Sequence, residues 1–135
     1  MATKDNFFQT SDGLWLYYEV TGKGRPIILI PGFGEALTMW KYAVPVLSQR
    51  FQVVCLDPRG HGRSMKAAGN NRQKRMAQDI RELIDHLGLE DVLLVGHSLG
   101  GAIVATKLFL RLFLTSVVSV TASTLLAAVG LYKIF

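Results

Sequence analysis

Apolar positions occur along this chain in two spacings, and each spacing predicts a different kind of element. Four short segments are rich in apolar, aromatic or β-branched residues, as strands buried in a sheet require. These segments are residues 14–20, 27–30, 52–56 and 92–95. Before the last of them, apolar side chains recur every three or four residues and predict one face of an amphipathic helix. The residues of that face are Met76, Ile80, Leu83, Ile84 and Leu87.

Two more helices are predicted from the same spacing. A helix over residues 39–49 contains Pro45, which indicates a kink or an irregular start. Another helix is expected over residues 99–110. The amphipathic helix should end just before Gly88, because glycine readily adopts the left-handed conformation that follows a helix.

Strands that alternate with helices and short turns predict an α/β fold, with a mostly parallel sheet and flanking helices. The 135 residues are expected to form a single domain, 1–135. In such sheets, functional residues collect at the carboxyl ends of the strands. The loops at residues 31–34, 57–64 and 96–100 all follow strands, so we expect them to meet at one rim of the sheet.

Composition and charge exclude several classes of protein. The chain is 50% hydrophobic and 19% charged, which indicates a globular rather than a disordered protein. Its net charge of +5 comes with no basic face interleaved with aromatic residues, so no nucleic-acid partner is predicted. The basic residues between Arg59 and Arg81 are interpreted as solvated loop and helix surface. The single cysteine, Cys55, is interpreted as a buried packing residue, and it suits a reducing, cytoplasmic location.

The sequence Gly96-His97-Ser98-Leu99-Gly100-Gly101 is the most informative motif of the chain. It follows an apolar strand and precedes a helix, as the G-x-S-x-G nucleophile elbow does. In that turn, the serine hydroxyl stands exposed at the carboxyl end of a strand, and the glycines avoid collisions across the turn. A nucleophilic serine also needs a base and an acid, yet residues 92–135 contain no Asp, no Glu and no histidine outside the motif.

Three motifs together resemble the α/β-hydrolase superfamily, most closely its esterase, enol-lactonase and carbon–carbon hydrolase branch. They are Ile-Pro-Gly-Phe-Gly at 30–34, Asp-Pro-Arg-Gly-His-Gly-Arg-Ser at 57–64, and the elbow. The resemblance covers roughly residues 10–105. It implies a truncated α/β-hydrolase fold, in which Ser98 is the nucleophile and the backbone N–H groups of Phe33 and Leu99 form the oxyanion hole. It implies no metal or cofactor, and a serine at the nucleophile position argues against the epoxide-hydrolase and dehalogenase branches, which use Asp there.

The chain contains three histidines that are candidates for a general base, His61, His86 and His97. His97 adjoins Ser98 and should point away from the rim, while His86 lies near the far end of the amphipathic helix. His61 is on the correct edge, but in the family's strand order its loop lies two strands from the elbow, or about 10 Å. A base must come within about 3 Å of the hydroxyl. His61 is thus a weak candidate, and Asp57 is interpreted as a cap for loop amides.

Residues 112–135 form an atypical apolar tail. Residues 112–131 carry no charge and are long enough to cross a bilayer, but they include six Ser and Thr residues. One interpretation is a strand over 117–121 followed by a short apolar helix. A membrane segment and a tail unrelated to the family are the alternatives. In the first case the sheet would end on an open edge, which predicts self-association or a complementing fragment.

The sequence therefore predicts the N-terminal part of a serine hydrolase that acts on a small-molecule ester, lactone or related acyl substrate. The triad acid and base are missing from this chain, so we expect it to be at best a very slow enzyme. The alternatives are a catalytically inactive binding module of the same fold and a protein attached to a membrane by its tail.

Overall fold

The computed structural model describes residues 6–105 and the segments 117–119 and 127–130. In these residues, seven strands form one sheet in the order β1-β2-β4-β3-β5-β7-β6. The strands are β1 (Phe7–Gln9), β2 (Trp15–Thr21), β3 (Arg25–Ile30), β4 (Phe51–Leu56), β5 (Leu93–His97), β6 (Val117–Ser119) and β7 (Ala127–Gly130). The four predicted strands correspond to β2, β3, β4 and β5.

The predicted α/β fold is confirmed, with a sheet that is more mixed than expected. Strand β3 lies between β4 and β5 and is parallel to both. The other four neighbouring pairs are antiparallel. The segments that join β3 to β4 and β4 to β5 contain the helices and allow parallel crossovers, whereas a short turn joins β1 to β2 and favours an antiparallel hairpin.

Three α-helices and one 3₁₀ turn pack against the described part of the sheet. The helices are α1 (Val44–Leu47), α2 (Gln73–Leu87) and α3 (Leu99–Val104). The helix predicted over 39–49 is instead a 3₁₀ turn, Leu37–Trp40, followed by the single turn of α1, with Pro45 at its start. Helix α2 ends as predicted, because Gly88 follows it with a φ of 61°. Helix α3 begins as predicted, but residues 106–110 lie outside the described residues.

Alternate residues of the central strands pack on opposite faces of the sheet. One face contributes Ile28, Ile30, Val54 and Leu56 to a core that is covered by α2 and α3. The other face contributes Ile27, Leu29, Val53 and Cys55 to a smaller core, packed against Leu37 and α1. Cys55 is buried, as predicted. Because a core covers each face of the sheet, the central strands have no side that faces solvent.

The predicted strand in the tail is present as β6, but the helix predicted after it is wrong at residues 127–130. Those residues form β7, which pairs with β5 from Leu94↔Gly130 to His97↔Ala127. A short apolar run cannot be assigned by periodicity alone, and the open edge of β5 offers backbone hydrogen bonds to a strand. The rest of the tail, with its membrane alternative, lies outside the described residues. Within the described part, no helix is long and apolar enough to cross a membrane.

Candidate active site

Ser98 occupies a sharp turn between β5 and α3, in the strand–turn–helix context that the motif predicts. Its backbone has φ 51° and ψ −111°, a conformation that residues with a side chain rarely adopt. The turn is possible because two glycines let backbone segments touch. A Cβ on Gly96 would overlap the backbone of Gly100, and a Cβ on Gly100 would overlap the carbonyl of Ile30. The serine side chain is left exposed at the rim.

The two predicted oxyanion-hole amides lie on loops that leave neighbouring strands. Strands β3 and β5 are paired up to Ile30↔Gly96, so the loops that follow them begin side by side. Phe33 lies on the first loop, and Leu99 is the first residue of α3. Among the described residues, no acceptor is recorded for either backbone N–H. Neither N–H is thus used by a recorded hydrogen bond in this part of the chain, and the oxyanion-hole role of the two amides stays a prediction.

His97 was expected to point away from the rim, and the structure corrects this. Its Nδ1 lies 3.0 Å from Oε2 of Glu35, on the loop after β3. The same carboxylate oxygen accepts the Gly32 N–H at 2.9 Å. Sequence reasoning missed Glu35 because no local pattern marks it, and its partner lies 62 positions further along the chain.

His61 lies in the loop after β4, with β3 between that loop and the elbow strand, as predicted. Its Nδ1 is 2.9 Å from the carbonyl oxygen of Arg59, which can only accept, so Nδ1 carries the proton in this contact. The ring also meets Phe33 edge-on, at 5.7 Å between centroids. Among the described residues, no hydrogen bond joins His61 to Ser98. The histidine is held by its own loop, and its role as base stays a prediction.

Asp57 holds the loop amides, as predicted. Its side chain is buried, with Oδ1 accepting the Leu37 N–H at 2.7 Å and Oδ2 accepting the Arg63 N–H at 2.9 Å. His86 lies in the last turn of α2 and stacks on Phe8, with ring centroids 5.6 Å apart. Neither side chain is engaged with the elbow.

The interpretation of the basic cluster as solvated surface is wrong for Arg59, which is fully buried. Its guanidinium donates to both carboxylate oxygens of Asp79 on α2, at 2.6 and 2.7 Å. It also donates to Asp12, on the turn between β1 and β2, at 2.9 Å. These bonds tie the loop after β4 to two other elements. Sequence reasoning missed them because pairing between distant segments decides whether an arginine can be buried.

The pKa values in this network follow from the pairing. Hydrogen bonding from Arg59 is the main reason that the pKa of Asp12 lies well below its ordinary value. Burial raises the pKa of Asp79, and the hydrogen bond from Arg59 offsets only part of that effect.

The Cys55 thiol lies outside this network. Burial raises its pKa to about 12, with smaller contributions from Glu19 and Asp57. A thiol in that state is a poor nucleophile, which agrees with a packing role.

A cleft of about 750 Å³ opens at the same rim. Phe33 and Leu99 line it beside Met76, and His61 lies in its wall. Phe33 is 80% exposed, which is unusual for a phenylalanine and gives the cleft an apolar lip. The described residues contain no group of three His, Cys, Asp or Glu side chains that could hold a metal ion.

Comparison with known proteins gives one consistent result. The family model described as alpha/beta hydrolase fold matches residues 25–122. A soluble epoxide hydrolase from Corynebacterium sp. (strain C12) is 35% identical over 92 residues, which are 68% of this chain and 32% of that protein.

Solved structures agree with this result. An esterase from Exiguobacterium antarcticum matches with a TM-score of 0.71 and 34% identity, over 73% of this chain and 37% of the esterase. The enol-lactonase from Burkholderia xenovorans LB400 matches with a TM-score of 0.69 and 29% identity, over 72% of this chain and 38% of the enzyme. The chain thus spans about a third of the length of the proteins it matches.

Proposed function

The chain belongs to the α/β-hydrolase family, and from that premise we propose that it supplies the nucleophile and oxyanion hole of a serine hydrolase. The substrate is a small ester, lactone or related acyl compound. The observation that carries this proposal is the exposed Ser98 at a positive φ, at a turn flanked by two amides with no recorded acceptor. A strained residue at the rim of an α/β sheet is typical of a functional site.

The proposed reaction begins with attack of Ser98 Oγ on the carbonyl carbon of the substrate. Negative charge moves to the carbonyl oxygen, where the Phe33 and Leu99 N–H groups donate hydrogen bonds. The hydroxyl proton passes to a base and then to the leaving alcohol, which departs and leaves an acyl ester on Ser98. Water attacks that ester, and the carboxylic acid leaves as Ser98 regains its proton.

No described residue is placed as the base, since no hydrogen bond to Ser98 Oγ is recorded in that part of the chain. We propose that a histidine and a carboxylate reach the site from polypeptide outside the described residues, such as a complementing fragment or a second copy bound along the sheet edge. Loss of the base lowers turnover in serine hydrolases by up to about 10⁶-fold, while the oxyanion hole and binding retain about 10³–10⁴-fold over water. The chain alone should therefore acylate slowly.

The second candidate function is a binding module that keeps the fold without catalysis. The same site favours it, because among the described residues no base is hydrogen-bonded to Ser98, and a serine without a base has little nucleophilic strength. The two candidates differ in one respect: only the hydrolase has a Ser98 that reacts faster than an ordinary serine.

Labelling with a fluorophosphonate probe tests the proposal, because the probe forms a P–O bond to an activated serine with loss of fluoride. The rate is measured with increasing imidazole, which supplies an external base. We expect slow labelling that imidazole accelerates and that Ser98→Ala abolishes. Ser48→Ala is the matched control, since that hydroxyl contacts the Pro45 carbonyl in α1 instead. Labelling that is equal in wild type and Ser98→Ala at every imidazole concentration would favour the binding module.

A further inference from the structure

A single carboxylate links the loop after β3 to the nucleophile elbow. Oε2 of Glu35 accepts the Gly32 N–H at 2.9 Å from within its own loop. The same oxygen lies 3.0 Å from Nδ1 of His97, the residue before Ser98. An ionised carboxylate only accepts hydrogen bonds, so in this contact Nδ1 of His97 carries a proton and donates it as a hydrogen bond, in the neutral and in the charged ring alike. The contact thus joins two loops that are far apart in sequence.

The space around Gly32 shows how closely this link is built. A Cβ at that position would lie 2.6 Å from Oε2 of Glu35 and 3.0 Å from Nδ1 of His97. The loop backbone therefore rests directly on the carboxylate–imidazole pair. Any other residue at position 32 would displace the Glu35–His97 pair or the loop. The glycine is therefore needed for the pair to pack against the loop backbone.

The link joins the two loops that carry the amides of the proposed oxyanion hole. Glu35 lies two positions after Phe33, and His97 lies two positions before Leu99. An oxyanion needs both donors at about 2.7–3.1 Å, so the spacing of the two loops decides whether both can bind it. We propose that Glu35 and His97 are positioning residues that set the Phe33 amide against the Leu99 amide. This inference rests on the proposed function, since the oxyanion role of those amides belongs to it.

A different role for the pair must be separated from this one. A carboxylate on Nδ1 of a histidine is also the arrangement of an acid and a base, with Nε2 left to take a proton. Asparagine separates the two roles, because its Nδ2 can occupy the place of Nδ1 while nothing replaces Nε2. A positioning role therefore survives His97→Asn, and a role as general base does not.

The experiment compares four variants, Glu35→Ala, Glu35→Gln, His97→Phe and His97→Asn, by two measurements on each. The first is the rate of fluorophosphonate labelling at a fixed imidazole concentration. The second is amide hydrogen exchange over residues 32–36. Glu90→Ala is the matched control, because Glu90 is exposed and lies after α2, away from the rim. Urea midpoints establish that each variant is folded under the conditions of both measurements.

We expect Glu35→Ala and His97→Phe to label about tenfold more slowly, a smaller loss than the roughly 10²–10³-fold cost of removing an oxyanion donor outright. Both should also speed exchange over residues 32–36. Glu35→Gln keeps an acceptor oxygen and His97→Asn keeps the donor, so each should recover most of the lost rate. Glu90→Ala should behave as wild type in both measurements.

The remaining outcomes overturn one proposal or the other. If labelling depends on Ser98 but is unchanged in Glu35→Ala and His97→Phe, the positioning role is wrong. If His97→Asn labels as slowly as His97→Phe, His97 acts as a base instead. If the wild-type chain shows no labelling that depends on Ser98, the proposed function fails. In that case, if hydrogen exchange over residues 32–36 is also the same in Glu35→Ala and His97→Phe as in wild type, the Glu35–His97 contact does not hold the loop.

Discussion

Arg59 donates hydrogen bonds to both carboxylate oxygens of Asp79, at 2.6 and 2.7 Å, with the arginine side chain fully buried. The two residues belong to different segments, the loop after β4 and helix α2. Asp79 is itself almost completely buried, so neither charge has water as an alternative partner. The orientation of the loop that carries His61 therefore depends on an ion pair inside the protein.

Replacing Arg59 by alanine should lower the free energy of unfolding by about 3 kcal/mol, at the lower end of the cost of breaking a buried ion pair, because Asp79 loses two hydrogen bonds but keeps its ion pair with Arg75 at 3.0 Å. Urea denaturation followed by circular dichroism measures this. Arg25→Ala is the matched control, since it breaks an exposed ion pair with Asp91 and should cost about 1 kcal/mol or less. Equal midpoints for the two variants would contradict the prediction.

Asp12 should make stability depend on pH under acidic conditions. Its pKa is lower in the folded state than in the unfolded state, chiefly because Arg59 donates to it. The stabilisation is therefore complete above the unfolded pKa of about 3.9 and is lost as the pH falls below it. The pKa of Asp79 is raised in the folded state, so its contribution to stability changes with pH in the opposite sense. The contribution of Asp12 is therefore isolated by comparing the pH dependence of wild type with that of Asp12→Asn.

Asp12→Asn should consequently lose less stability than wild type between pH 5 and pH 3, although it is less stable at pH 7. The measurement is the urea midpoint across that range. Asp85→Asn serves as the control, because that carboxylate is largely exposed and belongs to a surface pair with Arg81. A pH profile of Asp12→Asn parallel to that of wild type would show that the carboxylate is not responsible.

Gly100→Ala should destabilise the protein by about 3 kcal/mol, at the upper end of the cost of overpacking. The added Cβ would overlap the backbone carbonyl of Ile30, so β3 and α3 would have to separate. Gly69→Ala is a control with nothing within 4 Å of the new atom, and it should cost about 1 kcal/mol, from backbone strain at positive φ. Thermal and urea unfolding would rank the two variants, and an equal loss would argue against the close approach.

Ser98→Gly should be more stable than Ser98→Ala by about 1 kcal/mol, because glycine adopts the positive φ of 51° without steric strain. Neither variant should react with a fluorophosphonate. The difference in free energy of unfolding between them measures the strain held at the nucleophile position. If the alanine variant is equally stable, the turn is unstrained.

The strand and helix pattern was predictable where local chemistry decides it. Strands β2 to β5 and helix α2 follow from apolar spacing, and Gly88 marked the end of α2. The helix expected over residues 39–49 is broken, because the segment packs as a 3₁₀ turn and one helical turn over the smaller core. Residues 127–130 form a strand because the edge of β5 offers hydrogen bonds that no local pattern reveals.

The sequence by itself determined the candidate chemistry. A glycine-flanked serine between a strand and a helix predicts an elbow, since only small residues permit that turn, and three motifs carry the resemblance to the α/β-hydrolase family. Only the tertiary structure decided which charges are buried and which loops are tied together. The Arg59–Asp79 pair and the Glu35–His97 contact join segments 20 and 62 positions apart. The free energy of each contact depends on how deeply its groups are buried and on how they are oriented toward each other. Both are set only when the chain folds, so the order of residues does not reveal them.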